Sequence, residues 1–400
     1  MKFDNKFGMF IHWGIYALTQ IQDQALVRFQ MDRAEYENLM HRFDPVNYDP
    51  EEWVLLAKSC GMKYICFTTK HHDGFCMWDT RYTDYKVTNT PYGKDVLKML
   101  ADACQKHGML LSLYYSNPDW HHFYGYNPNS THQWYCVQTE QVDTVAYREY
   151  IKNQVTELLT NYGPIYTFFW DIPPKIEDPS LNELVRKLQP GILINDRGWS
   201  TGDFSTPERE YKAADSISFT RMTEACNSLD QQSWGYRADP DFYSIRHLTC
   251  SIDRIMSMGG NYLLNAGPSP LGEITENYAQ RMRLVGDWYN RMGGCLEQAE
   301  PDPFDYASRA NKCIATRKNG KTYLHFYEGL VSTAVTLKQY PGLPKAVKLL
   351  NTGKALEYRI EYLPEFFDGK TGICKDAYLH IVGIPTDDLS GEPIVLEVQW

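Results

Sequence analysis

Strand-like and helix-like segments alternate along most of the chain before residue 293. Short apolar runs typical of buried strands lie at residues 7–12, 64–69, 109–115, 166–171, 192–195 and 261–265, and residues 217–224 resemble a further strand with its exit loop. Helical patterns lie at residues 49–60, 95–107, 143–159, 181–188, 244–258 and 276–292. This alternation predicts right-handed βαβ units around a parallel sheet. About seven such units in about 290 residues match a (β/α)8-like, TIM-type barrel with one irregular repeat.

The pattern changes after Gly293-Gly294. Short β-like runs follow at residues 313–317, 322–327, 334–337, 347–350, 379–382 and 395–398, and turn sequences such as Asn319-Gly320 separate them. These runs predict a small antiparallel β-sandwich. We therefore expect two domains, a (β/α) barrel at residues 1–298 that holds the chemistry and a C-terminal β-sandwich at residues 299–400.

Charge and composition exclude several classes of function. The chain of 400 residues has a formal net charge of −10, so it would repel a phosphate backbone and we expect no nucleic-acid partner. It has no basic amphipathic segment, no apolar stretch of about 20 residues and no signal-like start, so we expect no membrane association. Its 10 cysteines form no CxxC pair. We therefore expect a reduced, cytoplasmic setting, although removal of a signal peptide would leave the same sequence. A homo-oligomer is left open.

One strand-like run ends in an acid. The run Tyr166-Thr-Phe-Phe-Trp-Asp171 is followed by Ile172-Pro-Pro, and proline cannot continue a strand ladder. An acid at this place lies where a parallel strand leaves the sheet, which is the face that carries chemistry in α/β barrels. The alternative is that Asp171 caps the next helix.

The predicted strands bring a set of polar and aromatic side chains to the same face. The set consists of His12, His71, His72, Tyr114, Asp171, Arg197, Glu208, Glu224 and Trp234. Two carboxyl groups that flank one bond are what glycoside hydrolysis requires, one as an ionised nucleophile and the other as a general acid. Asp171 suits the nucleophile because a strand end holds it rigidly. Glu208 and Glu224, expected on later loops, compete for the acid role.

Each of the other residues also has a purely structural interpretation. His12 could be a core histidine, Arg197 could pair with Asp196 on the surface, and Trp234 could be a core residue. His71 and His72 could form half of a metal site, but metals need three or four ligands, so we expect none. Two imidazoles at a strand end suit hydrogen bonds to sugar hydroxyls better.

Eight short motifs lie between Phe7 and Ile274. They are Phe7-Gly-Met-Phe-Ile-His-Trp-Gly14, Thr69-Lys-His-His-Asp-Gly-Phe75, Tyr114-Tyr-Ser116, Trp170-Asp171, Asn195-Asp-Arg-Gly198, Thr206-Pro-Glu208, Ser233-Trp-Gly-Tyr236 and Gly260-Asn-Tyr-Leu-Leu-Asn-Ala-Gly-Pro268. In sequence and in order, these motifs resemble those of the retaining α-L-fucosidases of the glycoside hydrolases.

The resemblance implies an exo-acting, retaining hydrolase that acts on fucosylated glycans or glycosides without metal or cofactor. Asp171 matches the nucleophile of the family. The positions that hold fucose match His12, His71, His72, Tyr114, Arg197 and Trp234, and Phe169 falls where the family often has a wall tryptophan. Members differ in the glutamate that serves as acid/base, which maps to Glu208 or Glu224, and we favour Glu208.

Two departures from the family pattern affect the expected site. Asp23 stands where the family usually has a glutamate that binds sugar hydroxyls, so its shorter side chain puts that contact in question. Ile172-Pro-Pro follows the nucleophile in place of Gly or Met-Gly, which would narrow the leaving-group side of the site.

The sequence thus predicts hydrolysis of terminal α-L-fucosyl linkages through a covalent fucosyl-enzyme intermediate on Asp171. One alternative is a non-catalytic fucose-binding or sugar-binding protein on the same scaffold. Another is a metal-dependent barrel hydrolase that uses His71 and His72.

Overall fold

The structure, a computed structural model, describes residues 3–122, 143–174, 176–209, 217–362 and 377–400. The chain divides into two compact units. The first comprises Met1–Tyr211, Arg221–Phe242 and Leu263–Arg283, and the second comprises Lys212–Thr220, Tyr243–Tyr262 and Leu284–Trp400. The domain boundary between residues 298 and 299 remains a prediction.

A curled, parallel half-barrel sheet carries the site, and its described strands number 7. The strands are β1 (Phe7–Ile11), β2 (Tyr64–Lys70), β3 (Leu110–Ser116), β4 (Thr167–Asp171), β5 (Leu193–Ile194), β6 (Glu224–Ser228) and β7 (Asn261–Ala266). They lie in the order β5-β4-β3-β2-β1-β7-β6. The predicted TIM-type class is confirmed.

The register of the sheet aligns the carboxyl ends of three neighbouring strands. Ser116 at the end of β3 pairs with Asp171 at the end of β4, and Lys70 at the end of β2 pairs with Tyr115. All five residues of β4 are buried. Residues that directly follow these strands therefore meet at one edge of the sheet.

Six of the eight α-helices in the described residues lie where the sequence pattern predicted them, with small shifts at their ends, whereas the two short α-helices before residue 40 were not predicted. The eight helices are α1 (Ala25–Arg28), α2 (Arg33–Glu37), α3 (Pro50–Ser59), α4 (Val96–His107), α5 (Thr144–Asn161), α6 (Pro179–Leu188), α7 (Ile245–Ser257) and α8 (Glu276–Met292). Asp178 caps α6 by accepting a hydrogen bond from the backbone of Ser180 at 3.1 Å. The next helix after β4 therefore has its own cap, and the interpretation of Asp171 as that cap is wrong.

The sixth strand lies further along the chain than predicted. The apolar pattern indicated residues 217–224, whereas β6 runs from Glu224 to Ser228. The strand begins with an acid, Glu224, which is buried and accepts a hydrogen bond from Tyr64 inside the sheet. Because a charged residue is usually exposed, the sequence pattern placed Glu224 in a loop and not in a strand.

The second unit contains two antiparallel sheets. Their strands are β8 (Glu300–Pro301), β9 (Ile314–Lys318), β10 (Lys321–Phe326), β11 (Ala334–Leu337), β12 (Ala346–Leu349), β13 (Glu357–Glu361), β14 (Tyr378–Val382) and β15 (Ile394–Gln399). The first sheet has the order β12-β15-β10-β9-β8, and the second has the order β11-β14-β13. Apolar side chains of both sheets, among them Leu324, Val335 and Leu396, form one buried core. The sequence pattern missed β13 because none of its residues is fully buried.

Among the described residues, no helix combines the length and the apolar character needed to cross a bilayer. No disulfide bond joins two of the described cysteines.

Candidate active site

A cavity of about 110 Å³ lies at the carboxyl edge of the half-barrel sheet. It brings together every predicted site residue except Glu224. Its lining consists of Phe10, His12, Asp23, Gln24, His71, His72, Tyr114, Phe169, Asp171, Ile172, Arg197, Glu208, Cys226 and Trp234. The sequence analysis gave no site role to Phe10, Gln24 or Cys226. Phe10 could have been found from strand periodicity, since it lies two residues before His12 and so faces the same side.

Asp171 ends β4 with its carboxylate inside the cavity and is 8% exposed. Tyr114 donates a hydrogen bond to Oδ2 at 2.6 Å, and Arg197 donates to Oδ1 at 3.0 Å. Burial opposes ionisation, but the charge of Arg197 and the hydrogen bond from Tyr114 outweigh it and hold the pKa of Asp171 below its ordinary value. The carboxylate is therefore ionised near neutral pH, as a nucleophile must be.

Arg197 links the two candidate carboxylates. Its Nη1 contacts both Asp171 Oδ1 and Glu208 Oε1, and its Nη2 donates to the carbonyl of Thr206. Two hydrogen bonds that share one nitrogen hold the two carboxylate oxygens within about 6 Å of each other. That upper limit is compatible with the carboxyl separation of about 5–5.5 Å in retaining glycosidases.

Backbone pairing with β6 places Glu208 at the cavity. Glu208 forms a parallel bridge with Cys226, whose N–H donates to the carbonyl of Pro207 at 3.0 Å. The Glu208 side chain is 41% exposed, against 11% for that of Asp171. One acid is thus enclosed at a strand end, and the other stands at the open side of the cavity.

The hydrogen bonds of Ser116 show which ring nitrogen of His72 carries the proton. Ser116 has one hydroxyl proton, which it donates to the carbonyl of Pro118 at 2.6 Å. Its 2.7 Å contact with His72 is therefore accepted from Nδ1–H. The other ring nitrogen, Nε2, lies 3.7 Å from Asp171 Oδ2.

The hydrogen bonds of Asn265 likewise show which ring nitrogen of His12 carries a proton. The Asn265 side chain donates to Ser228 and to the carbonyl of Trp234, so its oxygen accepts from His12 Nδ1–H at 2.7 Å. Burial, together with the nearby His71, lowers the pKa of His12 to about 3. His12 is therefore neutral near pH 7, and its Nε2 carries a lone pair rather than a proton.

Asp23 reaches the cavity although its side chain is short. Its Oδ1 accepts hydrogen bonds from the backbone of Trp234 at 2.9 Å and from Ser233 Oγ at 3.1 Å. Its Oδ2 lies 4.0 Å from His71 Nε2. Burial opposes its ionisation, but His71, His12 and the backbone bonds hold the pKa of Asp23 below its ordinary value. Asp23 thus anchors the segment that carries Trp234 and contacts a predicted sugar-binding histidine.

Aromatic rings form the apolar part of the cavity. Trp234 stacks on His12 with ring centroids 5.2 Å apart, and Phe169 stacks on Tyr114 at 5.7 Å. Phe10 lies 5.4 Å from the ring of Phe169. These rings offer an apolar surface to the C–H groups of a sugar.

Glu224 lies at the opposite end of the sheet. It begins β6, and its Oε2 accepts from the hydroxyl of Tyr64, the first residue of β2, at 2.5 Å. It is fully buried, and burial raises its pKa to about 7. The expectation that Glu224 lies on an exit loop at the barrel mouth is wrong, because the chain enters β6 at this residue instead of leaving a strand there.

No group of three or more His, Cys, Asp or Glu residues in the described part of the chain is arranged to hold a metal ion. Independence from metal remains a prediction.

Comparison with known proteins decides the family. The alpha-L-fucosidase family model matches residues 2–294. The chain belongs to the alpha-L-fucosidase family. The predicted resemblance and the assignment as a glycoside hydrolase are confirmed.

Relatives of known structure or activity cover nearly the whole chain. The tissue alpha-L-fucosidase of Bos taurus is 26% identical over 90% of this chain and 84% of its own length. Alpha-L-fucosidase isoenzyme 1 from Paenibacillus thiaminolyticus is 30% identical, with a TM-score of 0.83 over 99% of this chain and 97% of its own. A GH29 alpha-L-fucosidase of Bacteroides thetaiotaomicron, trapped as a covalent intermediate with 2-fluoro-fucosyl fluoride, is 25% identical with a TM-score of 0.77 over 99% and 94% of the two chains.

This alpha-L-fucosidase family member has an unusual backbone next to Asp171. Ile172 adopts a φ of 58°, in the left-handed region that a β-branched residue rarely occupies. Such a conformation costs about 1–3 kcal/mol and persists only where neighbouring contacts enforce it. Because Ile172 also lines the cavity, its side chain occupies space beside Asp171.

Proposed function

We propose that this protein is a retaining, exo-acting α-L-fucosidase that hydrolyses terminal α-L-fucosyl linkages through a fucosyl-enzyme ester on Asp171. The observation that carries the proposal is the arrangement of Asp171 and Glu208 on either side of Arg197 at the carboxyl edge of the sheet. Fucosylated glycans and glycosides are the substrate class, and no metal or cofactor takes part.

In the first step, the Asp171 carboxylate attacks the anomeric carbon. The glycosidic bond breaks as Glu208 gives its proton to the departing oxygen, so the aglycone leaves as an alcohol. In the second step, Glu208 removes a proton from water, and the resulting oxygen nucleophile attacks the same carbon. The ester to Asp171 breaks, and free fucose leaves with retained configuration.

The exposure of the two acids supports this division of roles. Asp171 is enclosed and held by Tyr114 and Arg197, which suits a nucleophile that must not move. Glu208 lies on a loop at the open side, where a leaving group and then water can reach it. The proposal requires Glu208 to turn from Arg197 toward the leaving oxygen when substrate occupies the cavity. Glu224, bonded to Tyr64 at the other end of the sheet, has no comparable access.

The histidines supply hydrogen-bond acceptors for sugar hydroxyls. His12 and His72 each commit Nδ1–H to a protein oxygen, which directs Nε2 to the substrate side. Bonds to hydroxyls that strengthen as the oxocarbenium-like charge develops lower the barrier. The aromatic rings receive the fucose methyl, whose burial contributes about 1 kcal/mol. That value favours fucose over the sugar without the methyl by several-fold.

A labelling experiment tests the nucleophile. 4-Nitrophenyl α-L-fucoside should release nitrophenol, and 2-fluoro-fucosyl fluoride should inactivate the enzyme with one label per chain. Peptide mapping should place that label on Asp171. Asp171→Ala should lose turnover, and azide should restore part of it with the inverted fucosyl azide as product. A label on another residue would refute the assignment.

A leaving-group comparison tests the acid/base. A fucoside with a very good leaving group needs no proton in the first step, so Glu208→Ala should still form the fucosyl-enzyme and then accumulate it. Glu224→Ala is the matched control and should turn over without accumulation. The reverse pattern would assign the role to Glu224.

A further inference from the structure

Asn117 is the first residue after β3, and it is 2% exposed. Its side-chain nitrogen donates to the carbonyls of Ile172 and Arg197, each at 3.0 Å. Its side-chain oxygen accepts from the indole of Trp199 at 2.9 Å. Its backbone N–H donates to the carbonyl of Asp171 at 3.0 Å. One residue thus bonds the backbone of both Asp171 and Arg197 and lines no part of the cavity.

The contacts with Asp171 and Ile172 fall on the left-handed turn that ends β4. Ile172 holds a φ of 58°, which a β-branched residue adopts only under constraint. Asn117 donates hydrogen bonds to the carbonyls before and after this torsion. Its backbone N–H donates to the carbonyl of Asp171, and its side-chain nitrogen donates to the carbonyl of Ile172. Asn117 therefore bonds the turn on both sides of Ile172.

The contact with Arg197 closes a ring of bonds. Arg197 gives its carbonyl to Asn117, while its guanidinium donates to the Asp171 carboxylate at 3.0 Å. The ring is completed by the backbone N–H of Asn117, which donates to the carbonyl of Asp171. A shift of Asn117 would change the distance between guanidinium and carboxylate.

We propose that Asn117 is a positioning residue that sets the orientation of the Asp171 carboxylate and its pairing with Arg197. This inference rests on the proposed role of Asp171 as nucleophile. Misplacement of a reacting group by about 1 Å can lower a rate by about 100-fold, so a residue behind the cavity can control the chemistry in front of it.

The pH dependence of the reaction reports this pairing, because Asp171 must be ionised to attack. The titratable groups around its carboxylate come from every neighbouring strand end. They are Tyr114 on β3, His71 and His72 after β2, His12 after β1, Asp23, Arg197 after β5, Cys226 on β6 and Glu208. Of these, Arg197 is the one whose backbone Asn117 holds.

The experiment compares Asn117→Leu and Asn117→Asp with the wild-type enzyme on 4-nitrophenyl α-L-fucoside. Leucine keeps the shape and removes the side-chain bonds, whereas aspartate keeps the acceptor for Trp199 and removes the donors. For both variants we expect kcat to fall about 10- to 100-fold and the acidic limb of kcat/KM to move up by about one pH unit.

Asn182 provides a matched control. It is 4% exposed, accepts from the indole of Trp170 at 2.9 Å and donates to the carbonyls of Ser200 and Thr201 at 3.4 and 3.5 Å. Asn182→Leu therefore removes the same kinds of bond, but at carbonyls outside the cavity. We expect a lower melting temperature for Asn182→Leu with an unchanged acidic limb.

The outcomes separate the two proposals. If wild-type enzyme cleaves the fucoside and labels on Asp171 while Asn117→Leu keeps the wild-type kcat and pH limb, the positioning role is refuted alone. It is also refuted if only Asn117→Asp shifts the limb, since the added charge would explain that, or if Asn182→Leu shifts it equally. A wild-type enzyme without activity refutes both proposals. If Asn117→Leu does not fold, Asn117→Ala decides, because it also removes the two side-chain donors to Ile172 and Arg197. An unchanged kcat and pH limb in that variant would refute the role.

Discussion

Replacing Tyr114 by phenylalanine removes the hydroxyl that donates to Oδ2 of Asp171 at 2.6 Å. Tyr114 is 1% exposed, and its ring stacks on Phe169. Phenylalanine keeps this packing, so the change deletes a short hydrogen bond to a carboxylate and little else. The Asp171 carboxylate should then be harder to ionise.

The size of the effect follows from the bond that is lost. A hydrogen bond to a charged group contributes about 1.5–3 kcal/mol, and one pKa unit corresponds to about 1.36 kcal/mol. The pKa of Asp171 should therefore rise by about 1–2 units in Tyr114→Phe. The remaining bond from Arg197 still favours the ionised form, so activity near pH 7 should survive.

The assay is the pH profile of kcat/KM for 4-nitrophenyl α-L-fucoside, whose acidic limb reports ionisation of the nucleophile in the free enzyme. The limb should move to higher pH by about the same 1–2 units. Tyr115→Phe is the matched control, since Tyr115 is the next residue on β3, is fully buried and donates to Gln154 at the same 2.6 Å. Its limb should not move. An unchanged limb for Tyr114→Phe, or equal shifts for both variants, would refute the reasoning.

Three further changes have defined outcomes. Burial raises the pKa of Glu224 from 4.5 to about 7. The wild-type protein should therefore lose about 3 kcal/mol of stability as the pH rises from 4.5 to about 7, whereas Glu224→Gln should not. Urea unfolding at several pH values measures this loss. Ile172→Gly removes a side chain from the cavity and should raise kcat/KM several-fold for fucosides with bulky aglycones relative to the nitrophenyl substrate. Lys70→Met leaves Asp119 buried without its 2.9 Å partner and should lower the free energy of unfolding by about 3–5 kcal/mol.

Each of these predictions has a result that contradicts it. Parallel pH–stability curves for Glu224→Gln and the wild type would mean that the buried acid does not titrate as expected. An unchanged aglycone preference would remove Ile172 from the leaving-group side. For Lys70, the control is Lys86→Met, because Lys86 pairs with Asp79 at the same 2.9 Å while the Asp79 side chain is 59% exposed. That variant should lose less than about 1 kcal/mol, and equal losses would refute the argument from burial.

Local pattern determined the elements and the family. Strand-like runs and helix caps are properties of a few consecutive residues, so strands such as β2 and β4 and helix α4 lie where their sequences predict them. The acid that ends a buried run at Asp171 marked the reactive edge for the same reason. The family motifs are likewise contiguous stretches, and the family model confirms them.

Tertiary structure decided which groups meet. Sequence could not choose between Glu208 and Glu224 by placement, because the choice depends on which end of β6 faces the cavity, and that start is fixed by a bond to Tyr64, 160 residues away. The sequence analysis also missed Asn117, although a polar residue directly after β3 was a usable signal.

The bonds of Asn117 to the backbone of Ile172 and Arg197 span 55 and 80 residues. Such contacts arise only when the curl and register of a sheet bring separate strand ends to one place. Family and fold class were thus readable from adjacent residues, as was the place of Asp171 at a strand end. The orientation and ionisation of the Asp171 carboxylate depend on partners that only folding brings within hydrogen-bonding distance.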